Sequence, residues 1–138
     1  MSSIQNAWEP VLFAAVTVPD WATLPALLDN TQRWLYELRN ATKCHIEAVS
    51  GYEDKPNLHT HNIVLVPPQE QERFWARFPR FKAECQGHWH QDIRPFDLTL
   101  REEAWSYVQD KHTPIQFPRL CPGTAWQCRK GNCPHRVR

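Results

Sequence analysis

The sequence lacks the features that direct a chain into or across a membrane. No apolar run approaches the roughly 20 residues that a membrane-spanning helix requires. The first residues, MSSIQNAWEPVLF, have neither the basic start nor the long apolar stretch of a signal peptide. Internal repeats and low-complexity segments are also missing. With 138 residues, 41% of them hydrophobic and 22% charged, the chain is expected to be a cytoplasmic globular protein with one main core.

Cysteine is scarce before residue 120, where only Cys44 and Cys85 occur. Disulfides are rare in a reducing cytoplasm, so we expect these two residues to be small members of the core. The other cysteines cluster with one histidine in the spacing C-x6-C-x4-C-x-H: Cys121, Cys128, Cys133 and His135. Three thiolates and an imidazole suit tetrahedral Zn²⁺, which predicts a small zinc-binding segment. The alternative is a disordered tail with unrelated thiols.

Acidic residues are absent from residues 115–138, which carry five basic ones. Residues 1–100, by contrast, hold twelve acidic residues against nine basic ones. This asymmetry indicates a polyanionic partner at the C-terminal end. Four basic side chains of the tail are expected to contact nucleic-acid phosphates: Arg129, Lys130, Arg136 and Arg138.

The hydrophobic pattern predicts four strands, at 11–19, 43–52, 58–66 and 88–97, and three helices, at 20–42, 67–84 and 99–112. Asp20 is the expected N-cap of the first helix, Pro79 ends or kinks the second, and Thr99-x-x-Glu102 is a capping box for the third. The order βαββαβα predicts a ferredoxin-like α+β sandwich, with an antiparallel sheet, helices on one face and the other face open to a ligand. A boundary near residue 113 is expected to divide a 1–113 domain from a 114–138 tail.

Two histidines stand at the start of the third predicted strand, in the stretch NLHTHNIVLV. Residues i and i+2 of a strand point to the same side of a sheet, so His59 and His61 project together while Thr60 points away. The preceding strand carries Glu47 and Glu53, either of which would complete a site for Mg²⁺, Mn²⁺ or Zn²⁺. The alternative is a polar pair on a solvated sheet face.

The third predicted helix places Tyr107 and Lys111 four residues apart, and hence on one face. Taken alone, a tyrosine at the rim of the core and a solvated lysine would explain this spacing. A His-x-His strand, a further strand and a Tyr-x3-Lys helix form a more specific combination. A second histidine pair, His88 and His90, precedes no apolar strand and is predicted to lie at the surface or to contact DNA.

This combination resembles the HUH endonucleases, and among them the single-tyrosine rolling-circle replication initiator (Rep) proteins. FAAVTVP is similar to their first strand motif, LHTHNIVLV to their metal-binding motif and YVQDK to their nucleophile motif, over roughly residues 10–112. The motif order favours Rep proteins over relaxases, in which the tyrosine precedes the histidines. Thr60 departs from the usual bulky apolar middle residue. The spacing from Glu47 to His59 is longer than usual, which leaves Glu53 as a rival ligand.

The resemblance implies an enzyme that nicks single-stranded or hairpin origin DNA of a plasmid, phage or virus, in a prokaryotic host. Tyr107 would attack the scissile phosphate and stay joined to the 5′ end through a phosphotyrosine bond. Mg²⁺ or Mn²⁺ held by His59, His61 and Glu47 would polarise that phosphate, and Lys111 would stabilise the phenolate or contact the phosphate. The chain has no GxxxxGK[ST] motif, so a helicase, like the polymerase, would come from the host or from another chain.

Two other functions fit the same residues. A single-tyrosine HUH transposase has a similar length, but typically a glutamine where Lys111 stands. A non-catalytic nucleic-acid-binding module, built from a ferredoxin-like sheet and a zinc knuckle, would bind single strands without metal-dependent cleavage.

Overall fold

The computed structural model describes residues 8–19, 21–55, 57–84 and 91–122. The strands in chain order are β1 (Glu9–Thr17), β2 (Glu47–Glu53), β3 (His59–Val66), β4 (Gln91–Pro95) and β5 (Thr113–Ile115). The helices are α1 (Leu24–Thr42), α2 (Gln71–Glu84) and α3 (Arg101–Asp110), and short 3₁₀ turns precede α2 and α3 at Pro68–Glu70 and Leu98–Leu100. Among the described helices, none has the length and apolar character needed to cross a bilayer.

The strands form a five-stranded antiparallel sheet in the order β4-β1-β3-β2-β5. The predicted α+β class with an antiparallel sheet is confirmed, and the order of the first four strands is compatible with a ferredoxin-like sandwich. β5 was not predicted, and a further bridge joins Ile46 to the buried Leu120. The sheet therefore continues past the boundary expected near residue 113, because residues on both sides of that point pair with the region of β2.

One face of the sheet builds a hydrophobic core with α1 and α2. Inward-facing residues of β1 and β3, among them Leu12 and Val64, join the fully buried Trp34 of α1 and Phe74 of α2. Burying a large apolar side chain contributes on the order of 1.5–3 kcal/mol, so this cluster is the main source of stability. Cys44 belongs to it, as predicted, whereas Cys85 lies outside the described residues.

The opposite face of the sheet is partly covered by α3. Val108 of this helix packs against Ile63 and Leu65 of β3, together with Trp8. The prediction that the helices share one face, leaving the other open, is therefore wrong. The reason is that β3 is apolar on both faces over its second half, so the side away from α1 and α2 needs its own cover. Only the first half of β3 carries polar side chains on that side.

Several element ends differ from the sequence prediction. α1 begins at Leu24, with the side chain of Thr23 accepting a hydrogen bond from the Ala26 amide at 3.4 Å, and Asp20 lies outside the described residues. α2 continues through Pro79 to Glu84 and does not end at the proline.

The predicted capping box of α3 is also wrong. The N-cap is Leu100, which makes no side-chain capping bond. Thr99 is held by Asp97, whose Oδ1 accepts bonds from the Thr99 amide at 3.0 Å and its hydroxyl at 2.6 Å. Asp97 therefore caps the 3₁₀ turn before α3, in place of the expected pair that would cap the helix itself.

A chain of buried polar side chains runs beneath the sheet, on the side of α1. Asn62 of β3 donates to the Ala14 carbonyl of β1 at 3.2 Å and to the Thr60 hydroxyl at 3.1 Å. Its amide oxygen accepts a bond from Ser50 of β2 at 2.7 Å, and Thr60 bonds Thr31 of α1 at 3.1 Å. Since buried polar groups are costly when unpaired, these bonds tie three neighbouring strands to one another and to the helix.

Candidate metal centre beside a tyrosine

His59 and His61 project from the first half of β3 on the face opposite α1 and α2. Thr60 between them is buried on the other face, where it bonds Thr31. The two imidazole ring centroids lie 4.8 Å apart. The period of two along a strand thus produces the pair that the spacing predicted.

His112 is a third histidine at the same place, and the sequence interpretation did not identify it as a ligand. It lies two residues after the end of α3 and directly before β5, and its ring centroid lies 4.8 Å from that of His61 and 6.0 Å from that of His59. One potential ligand atom from each of the three residues lies within 4.8 Å of the others. Its position at the end of the predicted helix 99–112, five residues after Tyr107, is the only signal the sequence offers.

The hydrogen bonds of these rings fit metal ligation. Nδ1 of His112 donates to the Tyr107 carbonyl at 2.8 Å and Nδ1 of His59 to the Asn57 carbonyl at 2.6 Å, since a carbonyl oxygen can only accept. In a neutral ring this bond leaves the lone pair on Nε2, and carbonyl partners of this kind are typical behind metal-bound histidines.

Two buried ring nitrogens of the cluster have no hydrogen-bond partner among the described residues, Nδ1 of His61 and Nε2 of His112. A buried unpaired nitrogen is costly, and a metal ion would satisfy it. With metal–nitrogen bonds of about 2.0–2.1 Å, tetrahedral ligand atoms stand about 3.4 Å apart. Ligand atoms that now lie up to 4.8 Å apart would therefore approach one another on binding.

Of the two candidate glutamates, the structure brings Glu53 to the histidines and not Glu47. Glu53 pairs directly with His59, and its Oε1 lies 3.3 Å from Nε2 of His59 and 3.7 Å from Nε2 of His112. Glu47 lies opposite Leu65, and its carboxylate binds Arg119 at 2.8 Å. Six residues along a strand span roughly 20 Å, so the two carboxylates stand at opposite ends of β2.

Tyr107 lies against the histidine cluster. Its ring centroid is 5.1 Å from that of His61 and 4.6 Å from that of His112, and 42% of the residue is exposed. Lys111 is exposed at the C-cap of α3, one residue after the helix ends. It makes none of the ion pairs or hydrogen bonds found in the described part of the chain, so it is free to meet a ligand that reaches Tyr107.

Gly51 allows α3 and His112 to approach the sheet. It lies opposite His61 in β2, and a Cβ atom built on it would clash with the backbone carbonyl of Val108 and stand 2.8 Å from Cβ of His112. Real Cβ atoms essentially never come that close, and the Val108 carbonyl is backbone that cannot turn aside. The absence of a side chain here sets how near the third histidine comes to the other two.

We expect Gly51→Ala to lower the free energy of unfolding by about 3 kcal/mol, since overpacking displaces the end of α3. Metal affinity should fall with it, because His112 moves away from His61. Urea unfolding and calorimetric metal titration measure both effects. Thr113→Ala, an exposed change on the adjacent β5, is the control and should alter neither. Unchanged stability of Gly51→Ala would contradict the close approach.

His61 is electrostatically prepared to stay uncharged. Its pKa is lowered to about 4, chiefly by burial and then by the neighbouring His59 and His112, against a smaller opposing effect of Asp92. At neutral pH the ring of His61 is therefore neutral, which is the form that binds a metal.

In metal-free buffer the free energy of unfolding is expected to fall as pH is lowered from about 6.5 to about 4. In this window His61 takes up a proton in the unfolded chain but not in the folded chain. Its contribution to the free energy of unfolding is therefore complete above pH 6.5. Solvent screening keeps the slope below about 1.4 kcal/mol per pH unit. Urea unfolding with EDTA at about pH 7, 6 and 5 measures it. His61→Gln should flatten the slope, and equal slopes in both proteins would refute this origin.

The remaining candidate residues lie mostly outside the described part of the chain. Cys121 is half-buried, and its backbone carbonyl accepts a bond from Arg39 at 3.3 Å. The rest of the expected zinc and phosphate-contact residues fall in 123–138, outside the described ranges: Cys128, Cys133, His135, Arg129, Lys130, Arg136 and Arg138. The pair His88 and His90 also falls outside them.

The chain was compared with protein-family models, curated proteins and solved structures. No family model, curated protein or solved structure matches it.

Proposed function

We propose that this chain is a metal-dependent nuclease that cuts one strand of DNA and stays joined to the new 5′ end through Tyr107. One observation carries the proposal: the Tyr107 ring lies 5.1 Å from His61 and 4.6 Å from His112, beside three histidines whose ring nitrogens could hold a metal. Two of these nitrogens, Nδ1 of His61 and Nε2 of His112, are buried without a hydrogen-bond partner among the described residues.

Four residues of the site would serve as metal ligands. His59, His61 and His112 would hold a divalent cation, with Glu53 as a further oxygen ligand. When bound, such an ion polarises the scissile phosphate and offsets the charge that develops on its oxygens. The mixed nitrogen and oxygen donors suit Mn²⁺ or Zn²⁺, with Mg²⁺ as the harder alternative.

The strand would be cut by transfer of the phosphate to the tyrosine. The phenol oxygen of Tyr107 attacks phosphorus, and the bond from phosphorus to the 3′ oxygen breaks. The phenol proton leaves to solvent, and the departing 3′ oxygen takes a proton from solvent, so a free 3′-OH remains. The 5′-phosphotyrosine bond keeps the energy of the cut bond, so a later 3′-OH can reseal the strand. Lys111, exposed one turn beyond Tyr107, would contact the phosphate.

The role that follows is initiation of rolling-circle replication, with single-stranded or hairpin origin DNA as the substrate. Priming needs the free 3′-OH that this reaction leaves, and the helicase and polymerase would be separate chains. A transposase would use the same covalent step, whereas a non-catalytic binding module would not form a covalent bond.

Covalent capture tests the proposal. The full chain is incubated with Mn²⁺ and a labelled pool of random single-stranded oligonucleotides, and the products are separated on a denaturing gel. We expect a band of protein joined to DNA that disappears with EDTA and maps to Tyr107 by mass spectrometry. Binding without any covalent band would refute the nuclease and leave the binding module. A band that persists in EDTA would refute the metal dependence.

A further inference from the structure

An apolar cavity lies directly beside Tyr107, on the side of β1 and β4. It has a volume of about 430 Å³, within the range of about 300–1,000 Å³ that is usual for small-molecule sites. Its walls come from β1, from the turn before α3 and from α3 itself: Phe13, Phe96, Leu100, Ala104 and Tyr107.

The cavity and the histidine cluster share a wall. Phe13 lines the cavity and also stacks on His61, with ring centroids 5.6 Å apart and an angle of 30° between the rings. Tyr107 also lines the cavity, and its ring contacts that of His61. A molecule in the cavity would therefore sit next to the tyrosine that the proposed reaction uses.

The polar groups at the cavity are few, and most are already engaged. Arg94 is bound by Asp92 through two bonds of 3.2 and 3.1 Å, and Asp97 caps the turn at Thr99. Glu103 is exposed at the rim and makes no ion pair or hydrogen bond among the described residues. Glu103 thus offers a hydrogen-bond acceptor at the edge of an aromatic and aliphatic cavity.

We propose that this cavity receives one unstacked nucleobase, that of a nucleotide adjacent to the scissile phosphate. The proposal rests on the nuclease function above and adds the position at which the enzyme recognises its strand. A flat aromatic molecule with polar edges matches walls of Phe13 and Phe96 and the carboxylate acceptor of Glu103 at the rim. A phosphate group fits less well, because the walls are apolar, the Arg94 guanidinium is already bound to Asp92, and Glu103 adds a negative charge.

Two consequences follow for the substrate. A base inside the cavity cannot be paired, and extracting it from a duplex costs a few kcal/mol, so the enzyme should require an unpaired nucleotide at this position. Glu103 can accept a hydrogen bond from an exocyclic amino group, as carboxylates do from cytosine. Bases with an amino group should therefore be preferred over thymine.

The test uses the DNA that the protein captures. Sequencing of the covalent products from the random pool gives the cut site, and an abasic residue is then moved through that site one position at a time. The wild-type chain should lose about tenfold or more in the rate of adduct formation at one position next to the cut, and much less elsewhere.

Leu100→Trp fills the cavity and has a matched control in Leu98→Trp. Both leucines are exposed in the same turn, at 52% and 59%, but only Leu100 lines the cavity. Leu100→Trp should slow adduct formation on intact DNA by about tenfold, and should have little further effect when the sensitive position is abasic. Leu98→Trp should match the wild type on both substrates.

The outcomes separate this inference from the proposed function. If another segment of the chain fills the cavity, the adduct should form at the same rate wherever the abasic residue stands. That result would overturn the proposal that the cavity receives a nucleobase and leave the proposed nuclease function intact. Equal slowing by Leu100→Trp on intact and abasic DNA would also overturn it. No adduct with any oligonucleotide would overturn both.

Discussion

Replacing Tyr107 with phenylalanine is expected to abolish the covalent bond between protein and DNA, lowering the rate of adduct formation by at least about 1000-fold. The substitution removes one oxygen atom, which is the proposed nucleophile. The ring itself remains, so its contacts with His61 and His112 should persist. Metal affinity and single-strand affinity should therefore stay within about twofold of the wild type. The denaturing gel, calorimetry and fluorescence anisotropy measure the three quantities.

The two other tyrosines provide matched controls. Tyr36 lies on α1 and its hydroxyl accepts a bond from Gln32, while Tyr52 packs beside Leu27 on the helix side of the sheet. Neither stands near the histidines, so Tyr36→Phe and Tyr52→Phe should form the adduct at the wild-type rate. An adduct formed by Tyr107→Phe would sink the assignment, and loss in the control variants as well would point to a general effect on folding.

Replacing His112 with alanine is expected to weaken Mn²⁺ binding by about 100-fold or more, since removing a ligand should cost at least as much as removing its supporting partner. His59 and His61 would remain as a two-nitrogen half-site, open on the side of α3. The Nε2 of His112 is buried and has no hydrogen-bond partner among the described residues, so alanine at this position removes a costly group from the metal-free protein. In urea unfolding without metal, the free energy of unfolding of His112→Ala should therefore fall by no more than the lost side-chain volume explains.

A comparison of histidine variants distinguishes a residue that binds the metal from one that does not. Calorimetric titration with Mn²⁺, and the absorption spectrum of the Co²⁺ complex, report affinity and coordination. His88→Ala and His90→Ala remove the second His-x-His pair, which the sequence predicts to be no ligand, and should leave both measurements unchanged. Glu53→Gln should have an effect between the two. If His112→Ala binds as tightly as the wild type, the third ligand is another residue.

The sequence predicts those parts of the site that depend on the regular repeat of a strand or a helix. Alternation along β3 places His59 and His61 on one side, and the helical period puts Tyr107 in a helix that follows them. These expectations need only local geometry. The polar pair also stops where the apolar run begins, which is the point at which α3 starts to cover the face.

The parts of the site that sequence reasoning missed depend on packing between elements. Alternation gives Glu47 and Glu53 the same side but does not fix which one meets the histidines; the short turn after Glu53 does, by pairing it with His59. His112 reaches the site only because α3 crosses to the second face and Gly51 allows it to come close. No residue pattern near His112 predicts that it comes close to the other histidines, because the apolar second half of β3 is what brings α3 to this face.

The buried bonds among Ser50, Asn62 and Thr60 bear on how the chain avoids a misassembled state. Because side chains alternate, a shift of β3 by one residue would send His59 and His61 into the core beside α1 and bring Thr60 and Asn62 to the side of α3. That state would break every bond of the buried polar chain and strand its members without partners. The buried bonds thus favour the correct register of β3, and the geometry of the candidate metal centre depends on residues of the opposite face of the sheet.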